Sequence, residues 1–401
     1  METMVDDIGV VVVEALRAAS YKESTIGNYQ KSIRWLAVLA QKDDGRYTPA
    51  LGAEFASMTT SPRTGRFSVQ RRFDYGRLVS VFDSYVATGR VSLVKGTRGA
   101  GIVVPHCAAF VALADAWSDE VERRGLAVST RSAYGRAARE YLLFLEASGI
   151  TSWEEADGTT MFGYLESLRD RWVPSAMWSA VTNFRPFLTF TRRQDLLDAL
   201  TMARIRRWHQ LVPELAERDE LLVVRACTGS DVPARDAAIT LLALVTGLRA
   251  CDLIALRLKD IDWRGSTLGI VQQKTGNPLT LPLPAVVLGK LAEYVLGDRP
   301  HSNIPNVFLR SLAPHLALAD HASIYAITRR TFRAAGATQT KAGTRKLRHH
   351  AATKLLRAGT PLPTISAILG HSSPDSTNVY LGEDTEQMRA CVLPMPAGTA
   401  R

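Results

Sequence analysis

The chain is poor in cysteine and in uninterrupted apolar sequence, and each shortage removes a class of protein. Its four cysteines, Cys107, Cys227, Cys251 and Cys391, are scattered through 401 residues with no CxxC pair. That spacing offers no framework for a disulfide-stapled fold or a thiolate zinc site, and it fits a reducing cytosol. No stretch approaches the roughly 18 apolar residues that a membrane-spanning helix needs. The opening METMVDDIGVVVVEALRAAS has an apolar run, but acids precede it and Glu14 ends it. A secretory signal starts with positive charge and carries a longer apolar core. Acidic residues are also outnumbered, 39 against 49 lysines and arginines, for a formal net charge of +10. A surplus of that sign attracts polyanions through the summed field and counterion release.

What is present is ordinary in bulk and specific in pattern. Hydrophobic content of 46% and charged content of 22% are those of a globular chain. The length predicts two or three domains with sizeable cores. Apolar residues recur at three- and four-residue spacing in YQKSIRWLAVLAQ and YGRAAREYLLFLEASG, so much of the chain reads as helix. The two segments are alike. Ser24, Thr25, Tyr29 and Lys31 match Ser129, Thr130, Tyr134 and Arg136, and RLVSVF from Arg77 is echoed by RPFLTF from Arg185. We read two copies of one small helical module about a hundred residues apart. GRVSLVKGTRGAGIVVP links the copies, and a basic strap, MARIRRWHQLVPELAERDE, leads onward with Arg204, Arg206 and Arg207. Beyond about Leu215 the helical pattern is interrupted by TLGIVQQKTGNPLTLPLP, two alternating runs around a Lys274–Pro278 turn, which is a β-hairpin. The expected fold is mainly α with a small β-hairpin or sheet. The expected domains are a helical module over 1–96, a second over 106–208, and a larger domain over 215–395 ending in a tail.

Three segments carry chemistry. In LLALVTGLRACDLIALRLKDIDW the helix breaks at Gly247, Arg249 follows, and Asp252 lies three residues on. On a helix the two would share a face; alone they are equally a structural pair at a helix junction. In GTRKLRHHAATKLLRAG, Thr344 is placed to cap a helix whose first turn holds Arg345, Lys346 and Arg348. The positive end of a helix dipole favours acids there. Three cations at that end make sense beside an anion, which free backbone N–H groups also attract. Of His349 and His350, which lead into apolar sequence, one is expected to be a packed core histidine. In LGHSSPDSTNVYL, Gly370 ends a short helix, a polar turn follows, and Asp375 or Ser376 caps the next helix. That turn brings Tyr380 toward the same hollow as His371.

The order of these elements is an arginine after Thr-Gly-Leu, a hairpin lysine, Leu-Arg-His, Leu-Gly-His, and a tyrosine nine residues later. It resembles the tyrosine recombinase (phage integrase) family over roughly Leu215 to Met388. The two helical modules resemble that family's core-binding domain. The resemblance implies that Arg249 and Arg348 clamp a scissile phosphate and that Lys274 reaches the DNA near it. It makes His371 a support for the phosphate and Tyr380 the nucleophile, with Asp252 helping to hold the first arginine. His349 is taken as a further supporting residue, and Arg204, Arg206, Arg207 and Lys346 as DNA contacts. One position departs from the pattern: Arg345 stands where the family usually has a histidine that shares acid–base work. A guanidinium stays charged and accepts no proton, so the resemblance leaves Arg345 a catalytic role in supplying charge to the phosphate, with base catalysis at that corner falling to His371, water or the DNA itself.

The implied reaction needs no cofactor and no metal. Planar guanidinium forks neutralise charge growing on the phosphate, the tyrosine attacks phosphorus, and the lysine protonates the leaving 5′ oxygen. The 3′-phosphotyrosyl product stores the bond until another 5′-hydroxyl reseals it. The implied partners are double-stranded DNA with a specific site and a homo-tetramer on two synapsed duplexes. A directionality or accessory factor is left open, and so is the choice among integration, excision, resolution and inversion. The implied setting is the cytoplasm, on a bacterial-type nucleoid. Two alternatives stay beside this one. The first is a protein of the same fold that binds DNA without cutting it, for which Arg345 speaks, and the second is an enzyme of the type IB topoisomerase kind.

Overall fold

A computed structural model of the chain describes residues 4–62, 64–93, 103–205, 214–338 and 342–370. Among them sixteen α-helices and three short β-strands form two compact units, Thr97–Leu211 and Met1–Gly96 with Val212–Arg401. Among the described residues no helix is long and apolar enough to cross a membrane.

The first helical module holds α1 (Val5–Ala18), α2 (Glu23–Ala40), α3 (Pro49–Ser57) and α4 (Val69–Thr88). Val5, Ile8, Val12 and Leu16 form one stripe of α1 and close on Ile26, Ile33 and Leu36 of α2, with Phe55 and Phe82 completing the core. The α1–α2 approach is tight: a Cβ on Gly9 would lie 2.8 Å from Ile33 Cγ2. Thr48 and Ser68 cap α3 and α4 by accepting backbone N–H groups, as short hydroxyl side chains do at helix starts.

The unit Thr97–Leu211 contains α5 (Ala108–Arg123), α6 (Val128–Ala147), α7 (Gly158–Arg169), α8 (Pro174–Phe190) and α9 (Gln194–Met202). Its core is aromatic. The buried Tyr141 ring packs edge-on, 5.0 Å from both Tyr164 and Phe184. The sequence echo has a backbone counterpart. Ser20 and Gly125, each three residues before α2 or α6 begins, are both left-handed at φ 59° and 64°.

The remaining part runs α10 (Glu217–Thr228), α11 (Ala234–Thr246), α12 (Ala250–Ala255), β1 (Ile261–Asp262), β2 (Thr267–Val271), β3 (Pro278–Pro282), α13 (Ala285–Glu293), α14 (His321–Ala334), α15 (Thr344–Arg357) and α16 (Leu362–Leu369). α11 is buried on nearly every face because Ala234, Ala237, Ala238 and Ala243 let α10, α13, α14 and α15 approach it. The hairpin of β2 and β3 is antiparallel, pairing Leu268 with Leu281, and β1 adds a third strand that the alternation pattern did not reveal. Two residues are too few for a period to show.

Candidate active site

α11 stops at Thr246 because Gly247 adopts a left-handed φ of 64°. A Cβ there would meet Leu369 Cδ2 at 3.0 Å and Ala351 Cβ at 3.2 Å, so both dihedral and crowding demand glycine. Arg249 follows as the extended residue that caps α12, with φ −71° and ψ 154°. The half-buried Arg249 guanidinium donates from Nη1 to Gln272 Oε1 at 3.1 Å and from Nη2 to Gly370 O at 3.0 Å.

Arg348 reaches the same place from α15. It is 9% exposed and donates to Gly247 O at 3.0 Å and to Leu369 O at 2.5 Å. The carbonyls of Gly247, Leu369 and Gly370 lie at the C-terminal ends of α11 and α16, where helices concentrate unpaired, negatively polarised oxygens. Two guanidinium groups from sequence positions about a hundred residues apart are thus drawn to one pair of helix ends. His371, the next residue, and Tyr380 lie outside the described residues.

Gln272 ties these parts together. It is 1% exposed, donates from Nε2 to Leu369 O at 3.2 Å, and accepts at Oε1 from Arg249 and from Thr275 Oγ1 at 2.8 Å. It opens the hairpin turn, which the backbone closes through Gln272 N–H to Asn277 O and Gly276 N–H to Gln272 O. Lys274 stands exposed in that turn with no hydrogen-bond partner among the described residues. Sequence reasoning missed Gln272, though a signal exists. Leu268 and Ile270 share the inward face of β2, Gln272 continues that alternation one residue past the strand, and a polar side chain aimed inward needs partners.

Two local expectations are corrected. Asp252 makes no ion pair with Arg249, whose guanidinium turns to Gln272 and Gly370 O. The carboxylate, 2% exposed, instead accepts the Gln273 N–H at 2.8 Å and so holds the hairpin to α12. The cap of α15 is Gly343, not Thr344, which is already its first helical residue.

The first turn of α15 contains no acid, and Arg345 is exposed on it. Lys346 is partly buried, which lowers its pKa against the opposing pull of Asp219. His349 and His350 are both 3% exposed, so each is a core histidine. Burial drives both imidazoles toward the neutral form, with Glu214 opposing this at His349 and Glu220, 3.1 Å away, at His350. Arg204 belongs to the Thr97–Leu211 unit and has a left-handed φ of 43°. Arg206 and Arg207 lie outside the described residues.

Comparison with known proteins adds the following. The family profile described as Phage integrase family matches residues 215–387. A Sinorhizobium fredii protein described as an integrase/recombinase, y4gC, is 36% identical over 189 residues, spanning 46% of this chain and 97% of its own length. The tyrosine recombinase XerC of Mesorhizobium japonicum is 27% identical over 305 residues, 71% of this chain and 95% of that protein. Among solved structures, a lambda integrase tetramer bound to a Holliday junction superposes with a TM-score of 0.52 at 17% identity. That match covers 80% of this chain and 90% of the other, and shows a shared fold.

Proposed function

The chain belongs to the tyrosine recombinase, or phage integrase, family and is a site-specific recombinase, and from that premise we propose how its own residues cleave and rejoin DNA. Arg249 and Arg348 take the non-bridging oxygens of one phosphodiester. Tyr380 loses its phenolic proton and attacks phosphorus, forming a P–O(Tyr) bond as the P–O5′ bond breaks. Lys274 gives a proton to the departing 5′ oxygen. A 5′-hydroxyl from a second duplex then attacks the phosphotyrosine and releases the enzyme, with no net change in the number of phosphodiesters. Two guanidiniums neutralise charge as it develops, a role that preorganised donors fill at little reorganisation cost.

The observation that carries this reading is the convergence of both arginines on the Leu369–Gly370 backbone, immediately before His371. The partner is duplex DNA carrying a specific site. The tetrameric state of lambda integrase on its junction supports the same assembly here. Phosphate contacts from Lys346 and the Arg204–Arg207 strap supply affinity without sequence preference.

One observation favours a second reading. Arg345 is exposed at the start of α15 and cannot act as a base, which suits a protein that binds DNA without cutting it. A pool of randomised duplexes, each nicked so that religation is lost, separates the two. In the presence of a chelator, recombination chemistry predicts a covalent protein–DNA band on a denaturing gel and a free 5′-hydroxyl. Enrichment of one sequence from the pool by repeated filter retention, with no covalent band on the enriched duplex nicked at successive positions, would establish the binding-only reading instead.

A further inference from the structure

We propose that Gln272 is a positioning residue that locks Arg249, Arg348 and the Lys274 turn into one preformed unit. The inference deepens the recombinase reading and rests on it for the identity of the reaction. Four observations carry it. The Gln272 side chain is buried, and its amide meets three different partners: Arg249, Thr275 and Leu369 O. Leu369 O also accepts Arg348, so one carbonyl joins the glutamine to the second guanidinium. The hairpin turn is closed by its own backbone bonds, so the side chain is surplus to making the turn. Finally, the facing backbone is shaped around this amide. Gly370 has φ 61°, and a Cβ there would fall on the Gln272 side chain, 1.7 Å from Oε1.

The physical consequence concerns orientation. A guanidinium binds phosphate through a planar fork, so rotating it removes the bidentate contact even when the charge stays nearby. Arg249 carries several freely rotating bonds, and Gln272 Oε1 and Gly370 O fix both of its terminal nitrogens. Because Gln272 opens the turn that bears Lys274, the proton donor for the leaving oxygen is indexed to the same frame. The amide therefore acts through the arginines and the lysine and touches no reacting atom itself.

The test uses the full-length protein and the nicked duplex pool described above, at saturating protein, with the rate of covalent adduct formation as the readout. Gln272→Leu is expected to slow that rate about 100-fold, as a misplacement of about 1 Å does, with DNA affinity within about two-fold of wild type because phosphate contacts elsewhere dominate it. Gln272→Glu keeps the acceptor for Arg249 and is expected to cleave faster than Gln272→Leu. A purely structural role would instead lower the folded fraction and affinity and leave the rate per folded molecule unchanged, which would overturn the proposal. A mutant cycle adds an independent check: Gly370→Ala should slow the wild type strongly and Gln272→Ala little further. Equal fold-losses in both backgrounds would overturn it. In arginine-labelled protein without DNA, the Arg249 guanidinium resonances should be exchange-protected in the wild type and unprotected in Gln272→Ala. Protection that persists in the variant contradicts the proposal even if the wild type forms no adduct, an outcome that would separately defeat the recombinase reading.

Discussion

Arg345 and Arg348 stand three residues apart on α15, one exposed and one buried against backbone carbonyls, and their different surroundings predict different responses to substitution. Arg348→Lys keeps the charge but loses the two-pronged contact with Gly247 O and Leu369 O. Adduct formation should then fall about 100-fold or more, the usual cost of losing a preorganised donor. A rate within about three-fold of wild type would remove Arg348 from the clamp. Arg345 takes part in no proton transfer, because it cannot lose its proton. Arg345→His should therefore raise the rate by about ten-fold or more and add a pH-dependent limb near neutrality that the wild type lacks. An unchanged rate and profile would show that base catalysis at this corner was never missing. Arg345 was legible in the sequence because a cation in the first turn of a helix breaks a rule, and Arg348 by its three-residue spacing from it. The direction of each guanidinium was not, since it depends on carbonyls that only the folded chain assembles.

At the scale of elements, the junction of α11, α15 and α16 is where packing and site meet. Gly247→Ala places a side chain at φ 64° and within 3.0 Å of Leu369 Cδ2. The left-handed backbone alone costs about 1–2 kcal/mol, so urea denaturation should show at least that loss. A midpoint equal to wild type would mean the helix end relaxes freely. His349 and His350 make α15 acid-sensitive. Burial depresses both folded pKa values below the unfolded value of about 6.5. Their contribution to stability is therefore complete above that pH and is lost as pH falls through the window down to the depressed values. Thermal midpoints should decline below about pH 6.5, and His350→Gln should flatten the decline; a slope unchanged in the variant would assign the acid sensitivity elsewhere. The hairpin was readable from alternation and its Gly276–Asn277 turn. Strand β1 was too short to show, and the role of Gln272 was hidden because two of its partners, Arg249 and Leu369 O, come from distant parts of the sequence. In place of the expected Arg249–Asp252 pair, Arg249 bonds to Gln272 and Gly370 O while Asp252 accepts the Gln273 N–H, partners that only the folded chain brings near.

Across the whole molecule, the formal charge of +10 sets how the protein meets DNA. Affinity should fall steeply with salt, by about 10³ or more between 50 and 200 mM if six or more phosphates are contacted. Arg204→Ala should weaken binding to all sequences alike and reduce the salt slope by about one, and an unchanged slope would remove Arg204 from the interface. Among the described residues the four hydrophobic clusters draw on Val5–Phe82, Phe110–Leu200, Leu215–Leu347 and Ala352–Leu369 in sequence order, because each helical stretch buries its stripe mainly against its own neighbours in the chain. Helical periodicity shows such stripes well.

The most direct test of the central claim is to identify the residue that becomes linked to DNA. The covalent adduct formed on the nicked duplex pool is digested with protease and nuclease, and the modified peptide is sequenced by mass spectrometry, with Tyr380→Phe in parallel. The account predicts a nucleotide joined through its 3′ phosphate to Tyr380 and no adduct from the variant. An adduct on any other residue, or one that survives in Tyr380→Phe, would contradict it.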